Sequence, residues 1–118
     1  MAKLALVIFS YTETHEGLAC VVNALETAVE AKGYNDEVKI VFDGAGTKWI
    51  PKLASKEQRA HPVFAKVEDK ITGACEFCAA AFGVKEKIQQ LNFPLLNEYP
   101  KHPSIRGYVD EGYLVITF

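Results

Sequence analysis

Apolar positions along the chain fall into two periods. Leu4 to Phe9 is an unbroken apolar run inside the segment Lys3 to Ser10, the pattern of a strand buried on both faces of a parallel sheet. Leu18, Val21, Val22, Leu25, Ala28 and Val29 follow at spacings of three and four, the mark of an amphipathic helix. Thr14 stands at the N-cap position, Glu16 in the first turn and Gly33 at the expected stop. Val38 to Phe42 is rich in β-branched residues and predicts a second strand. Strand, helix and strand in this order form a βαβ unit, whose crossover is right-handed.

Beyond that unit the segments shorten. Asp43-Gly44-Ala45-Gly46-Thr47 reads as a turn and Trp49 to Lys56 as a short helix, with Pro51 confined to its first turn. Pro62 to Lys70 predicts another helix, with Phe64, Val67 and Ile71 on one side. Ile71 to Ala74 predicts a short strand interrupted by Gly73. A helix should run from Cys75 to Phe82, break at Gly83 and resume from Val84 to Leu91. Phe93 to Leu96 predicts a fourth strand, Ser104 caps a helix reaching Asp110, and Tyr113 to Phe118 predicts a last strand. The expectation is one α/β domain over residues 1–118, with a mostly parallel sheet of about five strands and helices on both faces, flavodoxin-like in architecture. Ligands of such folds gather outside the carboxyl ends of the strands. That rule selects Ser10 to His15, Asp43 to Lys48, Cys75 to Cys78 and Asn97 to His102, and nearly all reactive side chains fall in these four segments.

Composition narrows the function. The 118 residues suffice for one domain and its core without a metal or disulfide. Lys and Arg number 13 against 15 Asp and Glu, a formal net charge of −2; no run of Lys or Arg is present, and Lys85 with Lys87 is the densest basic cluster. A basic face for nucleic acid is therefore not expected. No run approaches the ~20 apolar residues of a membrane span. The first apolar run leads into Ser-Tyr-Thr-Glu-Thr-His-Glu, not a small-residue cleavage site, so a signal peptide is not expected either. A cytoplasmic location without a membrane partner follows as an expectation, and three cysteines are too few for a disulfide scaffold.

Gly73-Ala74-Cys75-Glu76-Phe77-Cys78-Ala79-Ala80-Ala81-Phe82-Gly83 carries the most chemistry. A cysteine at a strand-to-helix junction meets unpaired backbone N–H groups, which stabilise the nucleophilic thiolate. Glu76 opposes that effect. Cys78, three residues on, shares the helical face and can reach Cys75 for a disulfide. The pair fits a persulfide carrier, a dithiol redox couple or half of a metal site. It also fits two small buried hydrophobes beside three alanines. One C-x-x-C supplies two ligands where zinc takes four, so no metal is expected unless an oligomer joins two pairs. Cys20, in the apolar stretch of the first helix, is expected in the core.

These residues resemble the DsrE/DsrF-like proteins, a family of small α/β sulfur-relay and related proteins. The resemblance runs nearly the full length: the opening strand, Phe42-Asp43-Gly44, Cys75 followed by Ala79-Ala80-Ala81 and Gly83, and the ending Glu111-Gly112-Tyr113-Leu114-Val115-Ile116-Thr117-Phe118. It implies that Cys75, spaced from its glycine as in that family, accepts the sulfur, and that the chain forms trimers or hexamers. The sulfur-relay members do not generally need the second cysteine, Cys78.

The remaining loops are weighed against plainer roles. Ser10-Tyr11-Thr12-Glu13-Thr14 superficially resembles a flavodoxin phosphate loop, but Glu13 stands where glycine belongs and would repel the anion. FMN is therefore not expected, and Ser10, Tyr11 and Thr12 are kept only as candidate substrate contacts beside Asp43 and Gly44. Asp43-Gly44-Ala45-Gly46 lacks the Gly-Lys-Ser/Thr ending of a nucleotide loop. Trp49 fits the core or a subunit interface. His102 should approach Cys75 if the fourth strand forms, and would then assist proton transfer or stabilise a thiolate. Lys101 and Arg106 offer positive charge to an anionic sulfur substrate. No role is assigned to His61.

Together these readings predict a sulfur carrier resembling a sulfurtransferase. It would relay sulfane sulfur as a Cys75 persulfide between donor and acceptor proteins or small thiols, with Cys78 and His102 assisting and no organic cofactor. The alternatives are a non-enzymatic homo-oligomer that binds a ligand or partner and has structural cysteines, and a dithiol redox protein.

Overall fold

Six residues of β1, Lys3–Ile8, form the inner strand about which the sheet is laid out, and the computed structural model describes all residues from Met1 to Phe118. β1 pairs in parallel with β2 (Glu37–Phe42) on one side and with β5 (Leu114–Thr117) on the other. β3 (Ile71–Cys75) pairs in parallel with β2, and β4 (Leu95–Leu96) with β3, giving the order β4-β3-β2-β1-β5. The helices are α1 (His15–Gly33), α2 (Trp49–Ala54), α3 (His61–Lys66), α4 (Glu76–Ala81), α5 (Lys85–Gln90) and α6 (Ile105–Asp110). Short 3-10 turns cover Gly44–Lys48 and Glu68–Lys70. The all-parallel sheet of five strands and the single α/β domain match the expectation, and no helix is long and apolar enough to cross a membrane.

The period of two sorts the strand residues between two unequal layers. Leu6, Ile8, Ile40, Phe42 and Ala74 pack into a large cluster with residues of α1 to α5, Trp49 and Phe64 among them. Ala5, Val7, Val41 and Leu96 face the other way, against Tyr108 and Ile105 of α6. The unevenness follows from strand order and handedness. Crossovers from β1 to β2, β3 and β4 all step the same way across the sheet, so right-handedness puts their helices on one face. The return from β4 to β5 steps back and puts α6 on the other. The chain thus leaves the carboxyl ends of the neighbours β3 and β4 toward opposite faces. That divergence makes the junction of β3 and β4 the topological switch point, the place where ligands of open α/β sheets bind, and here the turn after β4 covers it.

One irregularity sets the register beside this junction. Ile40 pairs with Ile71, but Val41 pairs with Gly73, leaving Thr72 over. The slip brings Phe42 opposite Ala74, and so Asp43, the next residue, beside Cys75. Gly73 serves the same junction. Its φ is +148°, and a Cβ there would lie 2.4 Å from the Pro94 carbonyl oxygen. The same carbonyl accepts the Ala74 N–H at 3.0 Å, so the glycine that weakens the strand pattern is what lets the chain entering β4 come close.

Several boundaries differ from expectation. α1 includes Gly33, and Asn35, with φ 60°, takes the left-handed position that ends it. α3 stops at Lys66, because the chain tightens into the 3-10 turn before Ile71 joins β3. The fourth strand keeps only Leu95 and Leu96, since Phe93 turns onto Phe64, with ring centroids 5.9 Å apart. Cys20 is only half-buried, at the margin of the helix face and not in the core. Trp49 is a core residue, and His61 holds its Nδ1 2.7 Å from the Leu53 carbonyl, a local structural contact.

Candidate functional site

Cys75 ends β3 and caps α4. Its φ and ψ of −55° and 121° lie outside the helix, and its Sγ accepts the Cys78 N–H at 3.4 Å. Ala79, Ala80 and Ala81 carry the turn of helix that follows because alanine has the highest helix propensity. Gly83, at φ 74°, ends it. Cys78 sits half-buried one turn on from Cys75. From the end of β2, Asp43 caps the neighbouring 3-10 turn, its Oδ1 accepting the Gly44 N–H at 2.8 Å. A carboxylate oxygen of Asp43 and the sulfurs of Cys75 and Cys78 all lie within 4.8 Å of one another.

The segment after β4 closes the cluster from the other side. His102 Nδ1 lies 3.5 Å from Cys75 Sγ, and the sulfur reaches the Lys101 carbonyl oxygen at 3.6 Å. Tyr99 and His102 exchange backbone hydrogen bonds of 3.0 and 2.6 Å across a tight turn, with Lys101 at φ 66°. The turn is pinned to α4 by the Phe77 N–H, which donates to the Lys101 carbonyl at 2.9 Å, and the Phe77 ring lies 5.2 Å from the imidazole. On its flank, Glu98 Oε1 accepts the Ser104 N–H and the Tyr108 hydroxyl, each at 3.3 Å. Tyr108 is buried, and that burial raises its phenol pKa, with the Glu98 charge adding to it.

The electrostatics run against a thiolate primed by the backbone N–H groups at this junction. Cys75 has no solvent-accessible surface. Burial pushes its thiol up from near 9 to about 12, a shift that the Cys78 amide opposes and the Cys78 side chain and Asp43 charge reinforce. The carboxylate acting against ionisation is Asp43, and not Glu76. The enclosure is nevertheless polar: two sulfurs, a carboxylate, an imidazole and a carbonyl meet there.

Of the expected site residues, Cys75, Cys78, His102, Asp43 and Gly44 come together. Gly44, at φ +54°, lets the Asp43 turn pass the Phe9 ring. Ser10, Tyr11 and Thr12 do not join them. The Ser10 carbonyl accepts the Trp49 indole N–H at 2.9 Å, and Tyr11 is exposed under the Lys48 ammonium. Thr12 lines a separate cleft of about 330 Å³ with Glu13, His15 and Trp49. There Lys52 bonds Glu13 at 3.0 Å and holds its carboxyl below the usual range. Lys101 lines a hollow beside Phe77, while Arg106 is exposed on α6. The alignment of Asp43 with the thiols is the feature sequence reasoning missed, and its only local signal was Gly73 in the weak strand.

Comparison with known proteins places this arrangement in a wider setting. No family model matches the chain. Over 115 residues it is 36% identical to the uncharacterized protein MJ0733 of Methanocaldococcus jannaschii, covering 97% of this chain and 93% of that one. A conserved protein of unknown function from Bacteroides thetaiotaomicron, BT1422, shares the fold with a TM-score of 0.64 at 17% identity, covering 97% of this chain and 94% of that one.

Proposed function

The chain belongs to the family of Methanocaldococcus jannaschii MJ0733, and from its thiol cluster we propose that it is a carrier of sulfane sulfur, held as a persulfide on Cys75. The observation that carries the reading is the meeting of Cys75 Sγ with the Cys78 amide at 3.4 Å and His102 Nδ1 at 3.5 Å at the switch point of the sheet. The resemblance to DsrE/DsrF-like proteins points the same way. Enclosure suits a carrier, because a sulfane sulfur left in solvent is lost to any passing thiol. The raised thiol pKa then makes the resting protein inert, and proton transfer to His102 becomes the step that arms it.

In the loading step Cys75 gives its proton to His102 Nδ1, with Nε2 carrying the other ring proton. The thiolate attacks the outer sulfur of a donor persulfide, the donor's S–S bond breaks, and the departing donor thiolate takes the proton from His102. Cys75 has become a persulfide and the donor a thiol, with no net oxidation. Delivery to an acceptor thiol reverses these bonds. Alternatively, the Cys78 thiolate attacks Cys75 Sγ and expels hydrosulfide, closing a disulfide that two small thiols reopen by becoming a disulfide themselves.

The test is intact-protein mass spectrometry after incubation with a low-molecular-weight persulfide. Wild type and Cys78→Ser should gain one reducible sulfur atom, mapped to Cys75, and Cys75→Ser should gain none. A folded wild-type protein that gains no sulfur at Cys75 overturns the reading.

A further inference from the structure

The sequence offers one C-x-x-C pair, two ligands where a closed zinc site takes four. The fold supplies the other two. Asp43 arrives from β2 through the slipped register, and His102 from the turn after β4. We infer that Asp43, Cys75, Cys78 and His102 form a binding site for one thiophilic divalent cation of the Zn²⁺ type.

Three features of the cluster support this. First, the donor set is chemically coherent. Two thiolates, an imidazole and a carboxylate suit a d¹⁰ ion that accepts S, N and O donors in a tetrahedron, and not Mg²⁺ or Ca²⁺, which take oxygen. Second, the spacing is close to that required. Zinc bonds of about 2.0–2.3 Å place tetrahedral donors roughly 3.3–3.8 Å apart. The Cys75–His102 contact is already 3.5 Å, and the Asp43, Cys75 and Cys78 donors lie within 4.8 Å of one another. His102 stands outside the group of three whose donors all lie within 4.8 Å of one another, so its imidazole must swing toward Asp43 and Cys78, and those two must close in, to complete the set.

Third, the supporting contacts are those that orient ligands. The Gly44 N–H holds the Asp43 carboxylate at 2.8 Å, and the Cys78 N–H points at Cys75 Sγ from 3.4 Å. The Phe77 N–H pins the turn that carries His102, at 2.9 Å. Such outer contacts fix the direction of a ligand before the ion arrives.

Binding releases the two thiol protons to solvent and forms two metal–sulfur bonds, with no oxidation. It also occupies both sulfurs, so an ion and a persulfide exclude each other. The inference stands on the cluster geometry and does not require the carrier reading.

Titration of chelator-treated, reduced protein with Co²⁺, a spectroscopic stand-in for Zn²⁺, tests it. One equivalent should bind, with intense near-ultraviolet thiolate-to-metal absorption and the visible bands of a tetrahedral centre. Zn²⁺ should displace the Co²⁺ one for one. Cys78→Ser and Asp43→Ala should each weaken binding by more than about a hundredfold, beyond what loss of a supporting contact costs, and Cys20→Ser should leave it unchanged. X-ray absorption of the wild-type Zn²⁺ complex should show two sulfur neighbours, a readout that needs no variant to fold. Octahedral Co²⁺ bands, a stoichiometry other than one, or equal affinity in Cys78→Ser overturns the inference. Protein that takes up persulfide sulfur but no Co²⁺ sinks this proposal alone. Protein that takes up Co²⁺ but never sulfur sinks only the carrier reading.

Discussion

The carboxyl ends of β1 and β3 open on the same edge of the sheet, one strand apart, yet they are built for different ends. After β1 the chain turns directly into its own helix. Thr14 caps α1 by accepting the Gly17 N–H at 2.9 Å, and the Ser10 carbonyl is taken by the Trp49 indole. In that loop the Thr14 hydroxyl and the Ser10 carbonyl serve local architecture, while the buried Ser10 and Thr12 hydroxyls meet no partner. After β3 the chain meets groups from two other strand ends, Asp43 beyond β2 and His102 beyond β4. The difference is topological. β1 and β2 both send their chains to the same face, so nothing parts between them. β3 and β4 send theirs to opposite faces, and the switch point falls between them. Reactive residue types at a strand end are therefore a weaker guide to chemistry than the direction in which adjacent connections leave.

Five measurements press on this contrast. The largest effect concerns Cys75 itself. Held at about 12, its thiol should supply, below pH 9, about a thousandfold less thiolate than an ordinary cysteine. In metal-free protein, timed iodoacetamide labelling with peptide mapping should show Cys75 lagging glutathione by that order, and parity would mean that the junction is open. The sign carries over to stability. The folded state keeps a proton that the unfolded chain sheds, so this contribution is intact below pH 9 and is lost as pH rises toward 12. Urea titrations stepped upward from pH 9 should show wild type losing more stability than Cys75→Ala.

Next, His102→Ala should slow persulfide loading about a hundredfold, as expected for loss of a general base, while Thr12→Ala leaves the rate alone. Equal slowing by both would erase the distinction between the two strand ends. Smaller still, Asp43→Asn removes a charge that opposes ionisation and should speed Cys75 labelling by up to about tenfold. Glu13→Gln, paired with Lys52 in the other cleft, should not. The least effect belongs to Thr14→Ala, which removes an N-cap and should cost about 1 kcal/mol in urea titration, with sulfur loading intact.

How far this was legible in the sequence depends on segment length. β1, α1 and β2 have runs long enough for their periods to be read, and β5 has a dense β-branched composition, so all four lie close to where the pattern places them. β4 retains two residues because its span is decided by Pro94 and by the space over Gly73, neither of which a hydrophobic period reports. Cys75, Cys78 and His102 were recognisable as chemistry at strand ends. Asp43 was visible as a strand-end residue and a candidate substrate contact, but not as a neighbour of the thiols. Its place beside the thiols depends on the leftover Thr72, a pairing irregularity between strands about thirty residues apart in the chain. The sealing of Cys75 was likewise beyond local reading, since the cover is a turn of a distant loop with Lys101 at positive φ.

That turn has a consequence for traffic. The piece of chain that roofs the sulfur also carries its proton acceptor, and both are tethered to α4 through the Phe77 amide. A bulky visitor that lifts the roof takes the imidazole away and finds a neutral, sluggish thiol. One that reaches the sulfur with the roof in place finds the same atom with its base 3.5 Å away. Selectivity would then reside in the path travelled, with the lid itself disarming whatever forces it.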